Sequence, residues 1–255
     1  TADKKYLETY DHYGVSVIKV IKSSFTGFFK IKLRKRYLDK KSSKEIIENE
    51  KYILFPLHVE PERNIDIDAI FFNDQLEVVK KIAKSLPVDY LLYVKEHYNM
   101  IFRGWRKINF YKDICELPNV KLIHPSVNPK KLIENSSLVI TISGTMGLEA
   151  VVQGKPAIVF ADVIYDSIPS VHKVKEIEKL PELIRQCLGE KVNMEEVGKF
   201  FKKVFANSFE FNDIKLTQDM YSEFYHSGFL LDVKLSENKI KKFLKDNEKI
   251  FEKLA

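Results

Sequence analysis

From Lys51 onward the chain repeats one unit, a short run of Val, Ile, Leu, Phe and Tyr followed by a stretch of helical period. The runs are "YILFPLH" (52–58), "DYLLYVKE" (89–96), "NVKLIHP" (119–125), "LVITIS" (138–143) and "PAIVFA" (156–161). Each is nearly continuous rather than alternating, the pattern of strands covered on both faces and hence of a parallel sheet. Parallel strands need crossovers long enough to hold a helix, and the crossovers are right-handed. Residues 75–85, 106–116, 130–135 and 145–153 supply those helices. The expected fold is α/β: a Rossmann-like parallel sheet with helices on both faces and a helical C-terminal region. The late helices are expected at 180–187, 194–205, 216–225 and 236–254, the last with Ser236 as N-cap.

The first fifty residues break the alternation. "VSVIKVIKSSFTGFFKIKLRKRYL" (15–38) reads as a strand followed by a basic helix, and "DKKSSKEIIENE" (39–50) as a linker. The expected organisation is therefore a basic segment 1–50, left from or leading out of a preceding domain, an α/β domain 51–190, and helices 191–255 packing on it. The net charge is +6, concentrated at Lys30, Lys32, Arg34, Lys35, Arg36, Lys40, Lys41 and Lys44. Such a run is a solvated face or, less often, a contact for anionic lipid or nucleic acid.

No stretch approaches the ~20 apolar residues of a membrane-spanning helix, and no secretory-type leader opens the chain. A cytoplasmic protein is expected, and because the sequence begins at Thr1 an upstream segment is expected to have been removed. Cys115 and Cys187 stand far apart and outside any CxxC spacing. They read as helix-packing residues rather than as a disulfide or zinc framework.

In an open α/β sheet, ligands collect at the carboxyl ends of the strands, where helix N-termini present unpaired amides. "ITISGTMGLEAVVQGKPAIVF" (140–160) places Ser143, Gly144, Thr145 and Gly147 at such an end. Glycine admits a ligand close to the backbone, the helix start favours an anion, and two hydroxyls add donors. Ser143 or Thr145 also reads as a simple helix cap. Glu149 stands four residues after Thr145 and six after Ser143, which is not capping-box spacing. Thr145, Glu149 and Gln153 form a polar row on the helix instead, and a carboxylate there is set to accept hydrogen bonds from sugar hydroxyls. A Walker loop and a GxGxxG fingerprint are both absent.

Two other strand ends are rich in titratable groups: His58, Glu60 and Glu62 after the first run, and Lys95, Glu96 and His97 after the second. Two histidines converging on one crevice favour a working site over isolated structural roles. The spacing of His58, Glu60 and Glu62 also suits a metal cluster, but Pro56 and Pro61 oppose the regular strand it needs, and no metal is expected. Arg103, Arg106 and Lys107 are placed to reach phosphate, or form a solvated helix start. His124 and His172 have no identifiable partner. Phe200, Phe201, Phe205, Phe209 and Phe211 read as core contacts of the late helices.

Taken in order, "FPLHVEPE", "LLYVKEH", "FYKDI", "NVKLI" and "TISGTMGLEAVVQGKPAIVF" resemble the capsule polysaccharide biosynthesis family, with its PLH-x-x-PE, KEHP and TGT-x-G-x-EA-x-x-x-GKP segments. The resemblance runs from about Lys51 to His172. It implies a GT-B-type donor domain at 51–190 that holds a nucleotide-activated sugar as substrate, with no separate cofactor. Ser143, Gly144, Thr145 and Glu149 then take the donor's phosphate and ribose; Lys95 and Arg103 are further nucleotide-sugar-binding candidates by their places at and after the end of the second run. His97 takes the KEHP histidine's place near the donor phosphate, and His58 and Glu62 stand at the cleft mouth as further catalytic candidates. Two departures stand out: Tyr98 replaces the proline after His97, with His-Pro occurring at His124-Pro125 instead, and only about fifty residues precede the PLH segment. The implied activity is glycosyl transfer to a capsular or other surface polysaccharide or glycolipid acceptor, at the inner membrane face and without nucleic acid. A sugar-nucleotide epimerase, or a non-catalytic scaffold using the basic run, are the alternatives.

Overall fold

A computed structural model describes residues 17–47 and 49–208. The expected helices at 216–225 and 236–254, together with Phe209 and Phe211, lie outside the described residues. The chain divides into two compact units, 1–200 and 201–255.

The described part of the first unit opens with α1 (Val17–Lys41), one helix of 25 residues where a strand and a helix were expected. Six strands follow: β1 (Tyr52–Pro56), β2 (Leu91–Lys95), β3 (Val120–Ile123), β4 (Leu138–Thr141), β5 (Ala157–Val159) and β6 (Val171–Lys173). All pairings are parallel, in the order β3-β2-β1-β4-β5-β6. That is the Rossmann order, whose direction of winding reverses between β1 and β4. β6 was not expected from the sequence.

The crossovers are α2 (Arg63–Asp66), α3 (Gln75–Ser85), α4 (Ile108–Cys115), α5 (Pro129–Asn135) and α6 (Met146–Val152), and α7 (Leu180–Leu188) and α8 (Met194–Ala206) come after β6. Local chemistry sets their limits. Asp74 caps α3 by accepting from the amides of Leu76 and Glu77 at 3.1 and 3.2 Å. Asn128 caps α5 in the same way, with Pro129 pre-set in its first turn. Gly154, at φ 75°, ends α6 in the left-handed conformation that side chains disfavour.

The strands form the floor of the core. Ile53, Leu54, Phe55, Leu92, Tyr93, Val94, Leu138, Val139 and Ile140 are all completely buried, and each large apolar side chain so placed contributes roughly 1.5–3 kcal/mol. The Tyr52 and Tyr93 rings stack across β1 and β2 at 3.9 Å.

The segment before β1 packs on this body. Leu38 is buried, Arg34 donates to the carbonyls of Gly104 and Trp105, and Ser43 forms a parallel bridge to Ile123 beside β3. Two packing expectations are corrected. Cys115 is exposed, leaving only Cys187 in the core, and Phe205 is 72% exposed, although its ring stacks on Phe201. No helix among the described residues is long and apolar enough to cross a membrane.

Candidate functional site

The loops leaving β1 and β4 meet at the point where the winding reverses, and His58 joins them. Its backbone is clamped first: the His58 amide donates to Gln75 Oε1 at 2.7 Å, and its carbonyl accepts from Gln75 Nε2 at 3.2 Å and from Arg106 Nη2. Its ring then reaches across to the second loop. Nε2 lies 3.2 Å from Thr141 Oγ1 and 3.4 Å from the Ser143 amide nitrogen.

The Ser143 amide can only donate, so Nε2 is unprotonated and the ring proton sits on Nδ1, 3.9 Å from Glu62 Oε2. Burial foremost, followed by the influence of His97 and of the Arg106 guanidinium, lowers the His58 pKa to about 4. His58 is therefore a neutral imidazole that props up the Ser143 turn.

Thr141 completes the prop by accepting from the Gly144 amide at 3.1 Å. Two of the amides expected to await a ligand are thus already engaged within the protein. The glycines of the turn answer to close packing. A Cβ on Gly144 would meet Thr141 Oγ1 at 2.9 Å and His58 Cε1 at 3.2 Å, and one on Gly147 would meet the Tyr165 hydroxyl at 2.6 Å. That hydroxyl donates to the Gly144 carbonyl.

The outer side of the turn is open. Thr145 and Glu149 are exposed and joined at 3.3 Å, Thr145 Oγ1 to Glu149 Oε1, which is the i, i+4 row expected from their spacing. Thr145 gives α6 no side-chain cap, so the simple capping role does not describe it. Ser143 Oγ is buried and has no hydrogen-bond partner among the described residues.

Beneath the crevice lies an ionic cluster. Glu96, fully buried, accepts from Arg106 Nε at 3.0 Å, from the Tyr111 hydroxyl at 2.7 Å and from the His97 amide at 2.7 Å. Arg106 Nη1 also lies 2.6 Å from Glu60 Oε2, though off the hydrogen-bonding direction, so that attraction is chiefly electrostatic. Phe110 covers the guanidinium at 4.9 Å. Arg106 is therefore neither a solvated helix start nor a phosphate ligand. Gly104 and Trp105, both at positive φ, turn the chain so that Arg106 enters the core. For a tryptophan that conformation costs roughly 1–3 kcal/mol.

His97 stands above this cluster, half-buried. Its Nδ1 accepts from the Asn99 amide at 3.1 Å, leaving Nε2 as the donor of the neutral ring. Burial and Lys95 lower its pKa, Glu62 raises it and Arg106 lowers it again. The same Glu62 thus faces both His58 and His97. Lys95 is buried, with Nζ 3.2 Å from the carbonyls of Glu96 and Pro125, and burial lowers its pKa against the opposing pull of Glu96.

The structure brings together His58, Glu62, His97, Ser143 and Gly144, with Thr145 and Glu149 at the rim and Lys95 below. Arg103 is exposed in the loop after the turn Tyr98–Ile101, with no side-chain hydrogen bond or ion pair to them among the described residues. His124 is tied to α1 through Asp39 at 3.1 Å. The His58, Glu60, Glu62 spacing makes no ligand group, because Glu60 turns to Arg106. A cavity of about 500 Å³ opens beside the cluster, lined by Glu60, Asp66, Asp74, Gln75 and Phe110 among others and not by the Ser143 turn. Gln75, Thr141, Tyr111 and Tyr165 were not singled out from the sequence. Thr141 alone left a signal, a hydroxyl interrupting an apolar run just before the turn.

Strand order and crevice together define a Rossmann-type α/β domain whose polar site sits where the winding of the sheet reverses. The chain belongs to the capsule polysaccharide biosynthesis protein family, whose model matches residues 3–171. Among solved structures it is similar to the KpsC beta Kdo 2,4 transferase of Thermosulfurimonas dismutans, at 15% identity and a TM-score of 0.42, covering 69% of this chain and 61% of that one. The beta Kdo 2,7 transferase of the same KpsC is similar at 18% identity and a TM-score of 0.41, covering 80% and 68%. The UDP-GlcNAc 2-epimerase of Methanocaldococcus jannaschii, in complex with UDP-GlcNAc and UDP, is similar at 16% identity and a TM-score of 0.43, covering 71% and 52%. The chain thus spans 61% of the first of these proteins and about half of the third. A comparison with curated protein sequences finds no match.

Proposed function

We propose that this chain binds a nucleotide-activated sugar and serves as the donor-binding part of a glycosyltransferase that builds a capsular or other surface polysaccharide. The observation that carries the reading is the propped turn. His58 and Thr141 fix Ser143 and Gly144 from behind while Thr145 and Glu149 face outward from the same turn. A site held rigid on its protein side and open on its ligand side needs little reorganisation on binding. In this reading the donor phosphate lies over the turn near the His97 Nε2 proton and above Lys95. Glu149 accepts from the ribose hydroxyls. His97 stabilises the departing nucleotide phosphate, and Glu62, beside His58, is the carboxylate assigned as base toward an acceptor hydroxyl. The acceptor is a polysaccharide or glycolipid. The basic α1 is the surface for peripheral contact with an anionic membrane face, which co-sedimentation with anionic but not neutral vesicles tests.

Thermal unfolding in the presence of cytidine, uridine and guanosine nucleotides and their sugars tests the central claim. A matched donor at ~100 times its dissociation constant stabilises by roughly 2.7 kcal/mol. Glu149→Ala removes a charged hydrogen bond worth about 1.5–3 kcal/mol and weakens binding at least roughly tenfold. Binding to none of these ligands, or undiminished binding by the variant, overturns the reading. Conversion of the sugar without an acceptor makes the protein an epimerase instead.

A further inference from the structure

At the far edge of the sheet is a group of side chains that the crevice does not use. His172 lies at the centre of β6, Cys187 near the end of α7, and Glu190 just beyond it. The Glu190 amide donates to the Cys187 carbonyl at 3.0 Å, folding the carboxylate back beside the thiol. The imidazole, thiol and carboxylate ligand atoms all lie within 4.8 Å of one another. His172 Nε2 is 2.6 Å from Glu190 Oε2; Cys187 is fully buried, while the other two are about one-fifth exposed.

We propose that His172, Cys187 and Glu190 form a binding site for one divalent ion of the zinc class, tying the edge strand β6 to the end of α7. The donor set selects the ion: thiolate sulfur, imidazole nitrogen and one carboxylate suit zinc or cobalt, whereas magnesium and calcium require more oxygens. Zinc bonds of about 2.0–2.3 Å set tetrahedral ligand atoms roughly 3.4–3.6 Å apart. His172 and Glu190 must part slightly and Cys187 must close by about an ångström, changes within reach of side-chain torsions. Thiolate and carboxylate balance the two positive charges. Binding releases the thiol proton, and a second proton whenever the imidazole carries two. Water takes the fourth position. Cys187 also belongs to the buried core, and its sulfur, within 4.8 Å of both other ligand atoms, is the third donor that an ion pair of His172 and Glu190 does not need. The site is independent of the nucleotide reading.

The test is titration of the metal-free 255-residue chain with Co²⁺, followed by displacement with Zn²⁺. One equivalent should give a near-ultraviolet thiolate-to-cobalt band that Zn²⁺ abolishes, and Zn²⁺ should raise the thermal midpoint. Cys187→Ser should remove the band, Glu190→Gln and His172→Gln should each weaken binding at least tenfold, and Cys115→Ser should change nothing. Glu190 is only partly buried, so its variant keeps the test valid if Cys187→Ser fails to fold. Absence of the band, its loss in Cys115→Ser, or unaltered affinity in Glu190→Gln overturns the proposal.

Discussion

Arg106 Nε lies 3.0 Å from Glu96 Oε2, and the two side chains are 3% and 0% exposed. A pair so deep gains little net stability over an apolar replacement, but removing one partner strands the other's charge in a medium that solvates it poorly. Arg106→Met and Glu96→Gln are each expected to destabilise the fold by about 3–5 kcal/mol in chemical denaturation. Combining the two substitutions should cost clearly less than the sum. Additive costs would show that each residue acts alone.

His58 makes stability depend on pH. Its pKa falls from the ordinary 6.5 to about 4 in the folded protein. Between those values the unfolded chain binds more protons than the folded one, so stability rises with pH there and is lost as pH falls toward 4. At about 1.36 kcal/mol per pKa unit the full span is worth about 3 kcal/mol. His97 and His124 are also lowered and act in the same direction. The difference between the wild-type and His58→Gln stability curves isolates the His58 part, and parallel curves across pH 4–6.5 would remove His58 from the account.

The two glycines of the turn should respond differently to alanine. At Gly147 the added Cβ meets the Tyr165 hydroxyl at 2.6 Å and its ring carbons at 3.1 and 3.2 Å. Overpacking of this kind costs about 1–3 kcal/mol, and Tyr165→Phe, by removing the nearest atom, should restore part of it. At Gly144 the obstacles are Thr141 and His58, so Gly144→Ala should disturb the prop itself, and Tyr165→Phe should not rescue it. Equal rescue at both positions would mean that Tyr165 alone shapes the turn.

Continuity of apolar residues located the first five strands because burial on both faces leaves no polar position to interrupt them. The same signal overran the strand ends. Leu57 and Val59 stay buried after β1 stops at Pro56, so His58 read as a strand residue when it is a loop residue reaching to the next loop. β6 was missed because an edge strand of Val171, His172 and Lys173 carries one buried apolar residue. Arg106 read as a solvated helix start or a phosphate contact because Glu96, at the end of β2, and Glu60, in the loop after β1, meet it only once the chain is folded, and partners brought in by folding leave no local pattern. The Thr145–Glu149 pair was legible because helical spacing fixes it locally. Gln75 and Tyr165 were not, since their contacts with His58 and Gly144 exist only once the loops are assembled.

Lys95 separates a structural from a ligand-binding role. Its ammonium is buried against the carbonyls of Glu96 and Pro125 and pairs with no carboxylate among the described residues, an arrangement that costs folding energy unless a ligand supplies the missing anion. In the ligand-free protein Lys95→Met, close in volume and uncharged, is expected to leave stability unchanged or raise it by about 1 kcal/mol. In the presence of a nucleotide sugar the same variant should bind roughly tenfold more weakly, because a buried ammonium facing phosphate forms a charge-assisted contact that the thioether cannot replace. Thermal midpoints measured with and without the nucleotide resolve both effects in one experiment. A variant that loses stability without ligand would make the amine a strut between two carbonyls, and one that binds as tightly as wild type would remove Lys95 from the donor site.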